Sequence, residues 1–277
     1  MSGNQSLHQY YQHQLQHIGH CLEGCLTSTD PELVHRLRLS IKKLRALDIL
    51  VGFLAPDGIG NDVHLNKDTR ALFKTAGELR DIQVQIQLLA SFEEESETCF
   101  PDFEAWLLKR EKKRILRLAE KQQHAENHNH AGLSKNDKST ILELAGDDAI
   151  QESARKALTW LYARALELLR GEITNACLHE IRTVTKQMRY IYSMVQHSFP
   201  GFSFEKCNIE ALREIEVTAG HWHDCLVRVE LYGKFVDQMK NSKQGKHSES
   251  LPILHVFTSK LEDAYKETCA LCVRVFF

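Results

Sequence analysis

Two runs in the chain share one pattern, H-x-x-R-x-x-x-K-x-x-R. They are His35, Arg38, Lys42 and Arg45, and, 144 positions later, His179, Arg182, Lys186 and Arg189. Offsets of 3, 7 and 10 residues fall on one face of an α-helix, where about 100° per residue confines the four side chains to an arc of about 80°. Each run is then a basic stripe roughly 15 Å long, at about 1.5 Å per residue. Two such stripes in one chain suit the holding of a long anion.

The apolar residues of both segments lie on the opposite side. They are Leu33, Leu37, Ile41, Leu44, Leu47, Val51 and Leu54 in the first copy, and Ile181, Val184, Met188, Ile191 and Val195 in the second. Each helix therefore packs one face into a core and presents cations on the other. Charge on a helix is most often an ordinary solvated face. Repetition of both residue types and spacing favours an anion site instead.

A second element repeats in almost the same register. Ala76-Gly77-Glu78-Leu79-Arg80-Asp81 matches Ala219-Gly220-His221-Trp222-His223-Asp224 as A-G-x-x-x-D. Gly and Asp, four apart, share a helix face. Glycine inside a helix costs about 1 kcal/mol relative to alanine, so close approach of another helix is expected at Gly77 and Gly220. Asp81 and Asp224 are expected to accept charge-assisted hydrogen bonds from stripe arginines and to fix their aim.

Composition sets the class. At 277 residues the length prior is about two domains, in agreement with one repeat unit on either side of residue 140. A hydrophobic content of 43%, with only 5 prolines and 14 glycines, favours helices with ordinary cores over turn-rich β structure. No stretch approaches the ~18 apolar residues of a membrane span, and the polar start lacks a hydrophobic signal core. The expected location is cytoplasmic. There, disulfides are unusual, and the 8 cysteines, mostly inside helical pattern, are expected to be free thiols that behave as small hydrophobes where buried. Cys269 and Cys272 form C-x-x-C without a second pair at zinc-ribbon spacing. The net charge of −2 argues against a nucleic-acid protein working through overall positive charge. Attraction for anions must be local, as in residues 31–55, with five Lys/Arg against two acids.

Eight helices can be read, over about 5–26, 31–54, 62–91, 101–128, 148–170, 174–198, 205–241 and 252–275. Asp30 caps the second, with Pro31 at its first position. The fourth holds the densest basic run, KREKKRILRLAEK. The expected organisation is a first four-helix half over 1–130, a polar connecting insertion over 131–147 and a second four-helix half over 148–277. The fold class is all-α, with two four-helix up-down bundles related by a pseudo-two-fold axis and a basic central cleft between them.

These residues resemble a known family. The runs His35–Arg45 and His179–Tyr190, with the two A-G-x-x-x-D elements, resemble the signatures of the CHAD domains, histidine-bearing α-helical domains. The resemblance extends over about residues 5–275. It implies two four-helical bundles around a basic cavity, binding of inorganic polyphosphate, and residence at polyphosphate granules. It also implies partnership with granule proteins or with a CYTH-type triphosphatase. Carried over residue by residue, the implied phosphate-binding set is His35, Arg38, Lys42, Lys43, Arg45, Arg80, His179, Arg182, Lys186, Arg189 and Tyr190. Asp81 and Asp224 stand behind it. Gln187 occupies the place that Lys43 has in the first copy.

The chemistry fits a linear polyanion. Arg supplies a planar fork for phosphate oxygens and Lys a compact charge. An unperturbed imidazole titrates near pH 6.5, so His35 and His179 lead to an expectation of tighter binding at pH 6 than at pH 8. Alternatively, each histidine donates to a backbone carbonyl or a core Asp. A metal-dependent phosphatase, or an accessory subunit of a triphosphate-processing enzyme, is the rival. The chain has no G-x-x-x-x-G-K-[ST] loop, and Thr183 breaks an H-E-x-x-H begun by His179-Glu180. Asp81 and Asp224 could hold a divalent ion alongside the polyanion. Possible metal ligands elsewhere are His124, His128 and His130, in a polar segment, and His221, His223 and Cys225, whose spacing converges poorly on a helix. The stripes carry only Tyr190 and Tyr192 for base stacking, which disfavours a nucleic-acid ligand. No cofactor is expected.

Overall fold

The structure is a computed structural model. It describes residues 3–27, 30–54, 67–127, 135–206, 208–240 and 250–277. Among the described residues there are nine helices and no strand: α1 (Gly3–Thr27), α2 (Pro31–Leu54), α3 (Lys67–Ser96), α4 (Pro101–Asn127), α5 (Lys135–Leu144), α6 (Asp147–Leu169), α7 (Asn175–Ser198), α8 (Ile209–Lys240) and α9 (Ser250–Phe276).

Local chemistry sets several helix starts. Asp30 Oδ1 accepts from the backbone N–H of Glu32 at 2.9 Å, ahead of Pro31. Thr174 Oγ1 accepts from Cys177 N at 3.2 Å at the start of α7. Asn208 Oδ1 takes both Glu210 N and Ala211 N, at 3.0 and 3.1 Å, at the start of α8. Each carboxylate, hydroxyl or amide oxygen satisfies N–H groups that the first helical turn leaves without partners.

Consecutive helices pack as neighbours in each half, α1 to α4 and then α6 to α9. The halves do not have separate interiors. The α1–α2 hairpin packs on α6 and α7, and one hydrophobic core takes Leu37, Ile41, Leu44 and Leu47 of α2 together with Leu158 and Leu161 of α6 and Ile181, Met188 and Ile191 of α7. A second, aromatic cluster joins the α3–α4 hairpin to α8 and α9. There Phe103 meets Tyr232 edge-on at 5.0 Å between ring centroids, and Phe257 meets Tyr232 at 5.3 Å. The apolar faces expected of α2 and α7 are buried as predicted, except that Leu33 and Leu54 at the ends of the first are only half-buried.

The stretch expected to be a polar connection departs from that expectation. It carries α5, which packs on α1 and α2 and sinks Leu142 completely into the main core. Its apolar residues, Ile141, Leu142 and Leu144, are bunched at one end of ten residues, too short a run to display a helical period in the sequence. A nearby interaction ties down the chain start: Asp147 Oδ1 accepts from Asn4 N at 3.0 Å, so the head of α6 caps the head of α1. If α5 is part of the core, Leu142→Ala loses about 2–5 kcal/mol through lost burial and a residual cavity. Urea unfolding measures this; a loss under about 1 kcal/mol would reduce α5 to a tether.

Candidate anion-binding site

Because α2 and α7 turn their apolar faces into the same core, their basic faces meet. Arg38, Lys42 and Arg45 of α2 and His179, Arg182, Thr183, Lys186, Gln187 and Tyr190 of α7 line one cavity of about 220 Å³. Phe73 and Asp81 of α3 and His223 of α8 close it. Five Lys/Arg side chains thus face a single lining carboxylate, Asp81.

Not every expected residue lines this cavity. His35 is exposed, with Arg80 its strongest cationic neighbour and Lys42 and Arg38 next. Lys43 turns away, toward Arg189 and His17. Arg189 is held by Glu216, which accepts from its Nε and, at 3.2 Å, from its Nη2, and it lies 4.7 Å over the Tyr190 ring. Glu216 also stands 3.8 Å from the ammonium of Lys186. Asp224 sits behind the wall as a charge neighbour of Arg182 and of Asp81. The expected hydrogen bonds from stripe arginines to Asp81 and Asp224 are not formed among the described residues. The carboxylates act on Arg38 and Arg182 through their fields alone.

Arg38 explains one of the two helical glycines. Its Nη1 donates to the carbonyl of Phe73 at 3.1 Å, and its guanidinium lies 4.8 Å over the Phe73 ring. A Cβ on Gly77 would come within 2.3 Å of that Nη1. What approaches Gly77 is therefore an arginine side chain rather than a helix backbone. At Gly220 a Cβ would meet nothing within 4 Å, so the expected close approach is absent there.

Burial and mutual repulsion work on the charges. The Lys42 ammonium is pushed down to about 7, first by burial and then by Lys186 and the arginines. Lys186 falls to about 8, again by burial first and then by Arg182. Partial desolvation by the surrounding helices, then neighbouring cations, lowers both His35 and His179 below the ordinary imidazole value, although each keeps an exposed surface. His223, 5.5 Å from His179 between ring centroids, is pushed down to about 3 by burial and Arg182. Asp81 and Asp224 are raised, burial outweighing the arginines beside them. Among the described residues Arg182 Nε and His223 Nδ1 are buried without a hydrogen-bond partner. Each such atom costs about 1–3 kcal/mol unless something else meets it.

The histidines read as possible metal ligands part company. His221 Nε2 stands 3.8 Å from Cys225 Sγ, while His223 turns into the cavity. The side chains of His124, His128 and His130 lie outside the described residues. The thiols of Cys269 and Cys272 are free, and burial raises both above the ordinary cysteine value. Phe73, Thr183, Gln187 and Glu216 are cavity or wall residues that the motifs did not mark. The repeat could have found two of them, since the 143-residue register that pairs Gly77 with Gly220 also pairs Phe73 with Glu216.

A family model, that of the CHAD domain, matches residues 9–233. The chain belongs to the CHAD domain family. Its fold is that of the crystal structure of the CHAD domain from the plant Ricinus communis, with a TM-score of 0.67 at 15% identity, over 99% of this chain and 92% of that one. No curated protein matches the chain. Among the described residues of this CHAD domain, no helix is long and apolar enough to cross a membrane.

The cavity can be probed through its glycines and through its lysines. Gly220→Ala should stabilise the protein by up to about 1 kcal/mol through helix propensity, whereas Gly77→Ala should yield little or no gain, because Arg38 must leave its seat. Denaturant midpoints compare the two. For the lysines, the folded pKa values of Lys42 and Lys186, about 7 and 8, lie below the ordinary ammonium value of 10.5, so the unfolded chain binds more protons between those limits. Stability of the ligand-free protein should therefore rise from pH 6 to pH 9, and Lys42→Met should flatten the rise. Melting temperatures across that range check it.

Proposed function

We propose that this CHAD domain binds inorganic polyphosphate without turning it over, in the cleft between α2 and α7. The observation that carries the reading is the meeting of two basic rows from distant parts of the chain over one cavity, with Arg182 Nε and His223 Nδ1 buried and unpartnered at it. A linear polyphosphate repeats its negative charge at short, regular intervals, which two opposed rows can meet on both sides. Arginine forks take phosphate oxygens in pairs and lysines serve as point charges.

The aromatics support phosphate over nucleic acid. Tyr190 is buried, and the Phe73 ring is already covered by Arg38 and approached by Arg45 at 5.7 Å. A base stacking on either ring would have to compete with burial at Tyr190 and with Arg38 at Phe73.

The lysines add to the pH dependence expected from the histidines. Partial desolvation and cationic neighbours lower His35 and His179, while Lys42 and Lys186, at about 7 and about 8, change charge near neutrality. A bound polyanion favours the charged ammonium, so binding above pH 7 must take up protons. Affinity should be highest near pH 6 and fall through pH 9. It should also fall steeply with salt, by analogy with nucleic acids.

Titration with polyphosphate of defined length tests the reading. Lys42→Glu with Lys186→Glu should abolish binding and leave helicity intact. Equal binding by wild type and variant would refute the cleft as the site. Orthophosphate release on incubation with polyphosphate and magnesium would replace the binder with an enzyme.

A further inference from the structure

The densest basic run of the chain is not in the cleft. Lys109, Arg110, Lys113, Arg114 and Arg117 of α4 line, with Trp106 and Gln238, a second cavity of about 400 Å³ between α4 and α8. From Trp106 to Arg117 the stripe is roughly 16 Å long at about 1.5 Å per residue, close to the length of each cleft row.

This face is built and largely unneutralised. Trp106 is pinned by its Nε1, which donates to Gln238 Oε1 at 2.9 Å, and Arg110 lies 4.0 Å over its ring. Glu78 of α3 holds Arg114 at 2.9 Å and reaches Arg117 at 3.8 Å. Among the described residues Lys109, Arg110 and Lys113 make no ion pair. Glu111, one residue beyond Arg110, accepts instead from Gln83 at 3.2 Å. Like charges at i,i+4, as in Lys109/Lys113 and Arg110/Arg114, destabilise a helix, so the pattern does not serve α4 itself.

One helix separates this face from the cleft. Gly77 of α3 lies against Arg38 of the cleft wall, and the next residue, Glu78, holds Arg114. The distance to cross is about one helix diameter, roughly 10–12 Å.

We propose that the α4 face is a second phosphate-binding line, occupied by the overhanging part of a polyphosphate chain already held in the cleft. This rests on the polyphosphate reading above. Trp106 is 8% exposed and enclosed by Phe103, Phe235 and Arg110, so it has no free face for a base, and the ligand is a phosphate chain rather than nucleic acid. Once the cleft is filled, the remainder of a long chain meets α4 at high effective concentration, and affinity rises without any change in the cleft.

The test uses the full chain and two ligands. The substitutions are at the exposed positions, Lys109→Gln, Lys113→Gln and Arg117→Gln. A control with the same charge change carries Lys156→Gln, Arg170→Gln and Lys266→Gln. Against a polyphosphate of about a hundred units, the α4 variant should bind about tenfold more weakly than wild type. Against tripolyphosphate it should bind as wild type does. The control should match wild type with both. The proposal is overturned if the α4 variant tracks the control with the long chain, or if tripolyphosphate binding falls in parallel. It is also overturned if poly-A of equal charge binds as tightly and depends equally on α4, which would make the face a nucleic-acid surface. Failure of wild type to bind either polyphosphate would sink the parent reading and this one with it.

Discussion

Packing α2 against α7 forces like charge together, and most of the wall chemistry answers that constraint. Leu37, Ile41, Leu44 and Leu47 on one helix and Ile181, Met188 and Ile191 on the other enter a single core. Each buried side chain of this kind contributes about 1.5–3 kcal/mol, so the apolar undersides set where the helices sit. The basic faces must follow. Two unit charges 4 Å apart repel by about 4 kcal/mol at an effective dielectric of 20. The fold offsets this in three ways. Arg38 and Arg45 lie over the Phe73 ring, Glu216 takes Arg189 and stands by Lys186, and Asp81 and Asp224 set their fields on Arg38 and Arg182. Lys42 and Lys186 absorb part of the rest by giving up charge readily near neutral pH.

The two halves solve the same problem with different residues. Position for position, Phe73 in the first half answers to Glu216 in the second, Arg80 to His223 and Lys43 to Gln187. One wall therefore steadies its arginines on an aromatic ring and the other on a carboxylate. Only the second turns an imidazole, His223, into the cavity, and only the first needs a bare glycine to seat an arginine. The equivalent residues Gln85 and Arg228 touch each other: Arg228 Nε donates to Gln85 Oε1 at 3.2 Å, while Gln85 Nε2 donates to Asp224 O at 2.8 Å.

Much of this is legible in the sequence because helical spacing is a rigid rule. The four-residue stripes and their apolar undersides are one-dimensional patterns, and α2 and α7 follow them closely. What the pattern could not convey was direction within the basic arc. Lys43 sits one residue from Lys42, yet that step of about 100° carries it out of the cavity toward Arg189. Phe73 and Glu216 belong to neighbouring helices, so their contact with the stripes is a product of tertiary packing. Gly77 and Gly220 look identical in sequence and differ only in whether a side chain leans on them. The helix α5 has little sequence signal because its apolar residues, Ile141, Leu142 and Leu144, are bunched at one end of a ten-residue segment.

The cleft has no local existence. Its walls stand 144 positions apart in the chain, at Lys42 and Lys186, and only the shared core brings them together. Leu158 and Ile181 lie in the shared interior that registers one wall against the other. Without that interior each basic row would be an ordinary solvated helix face.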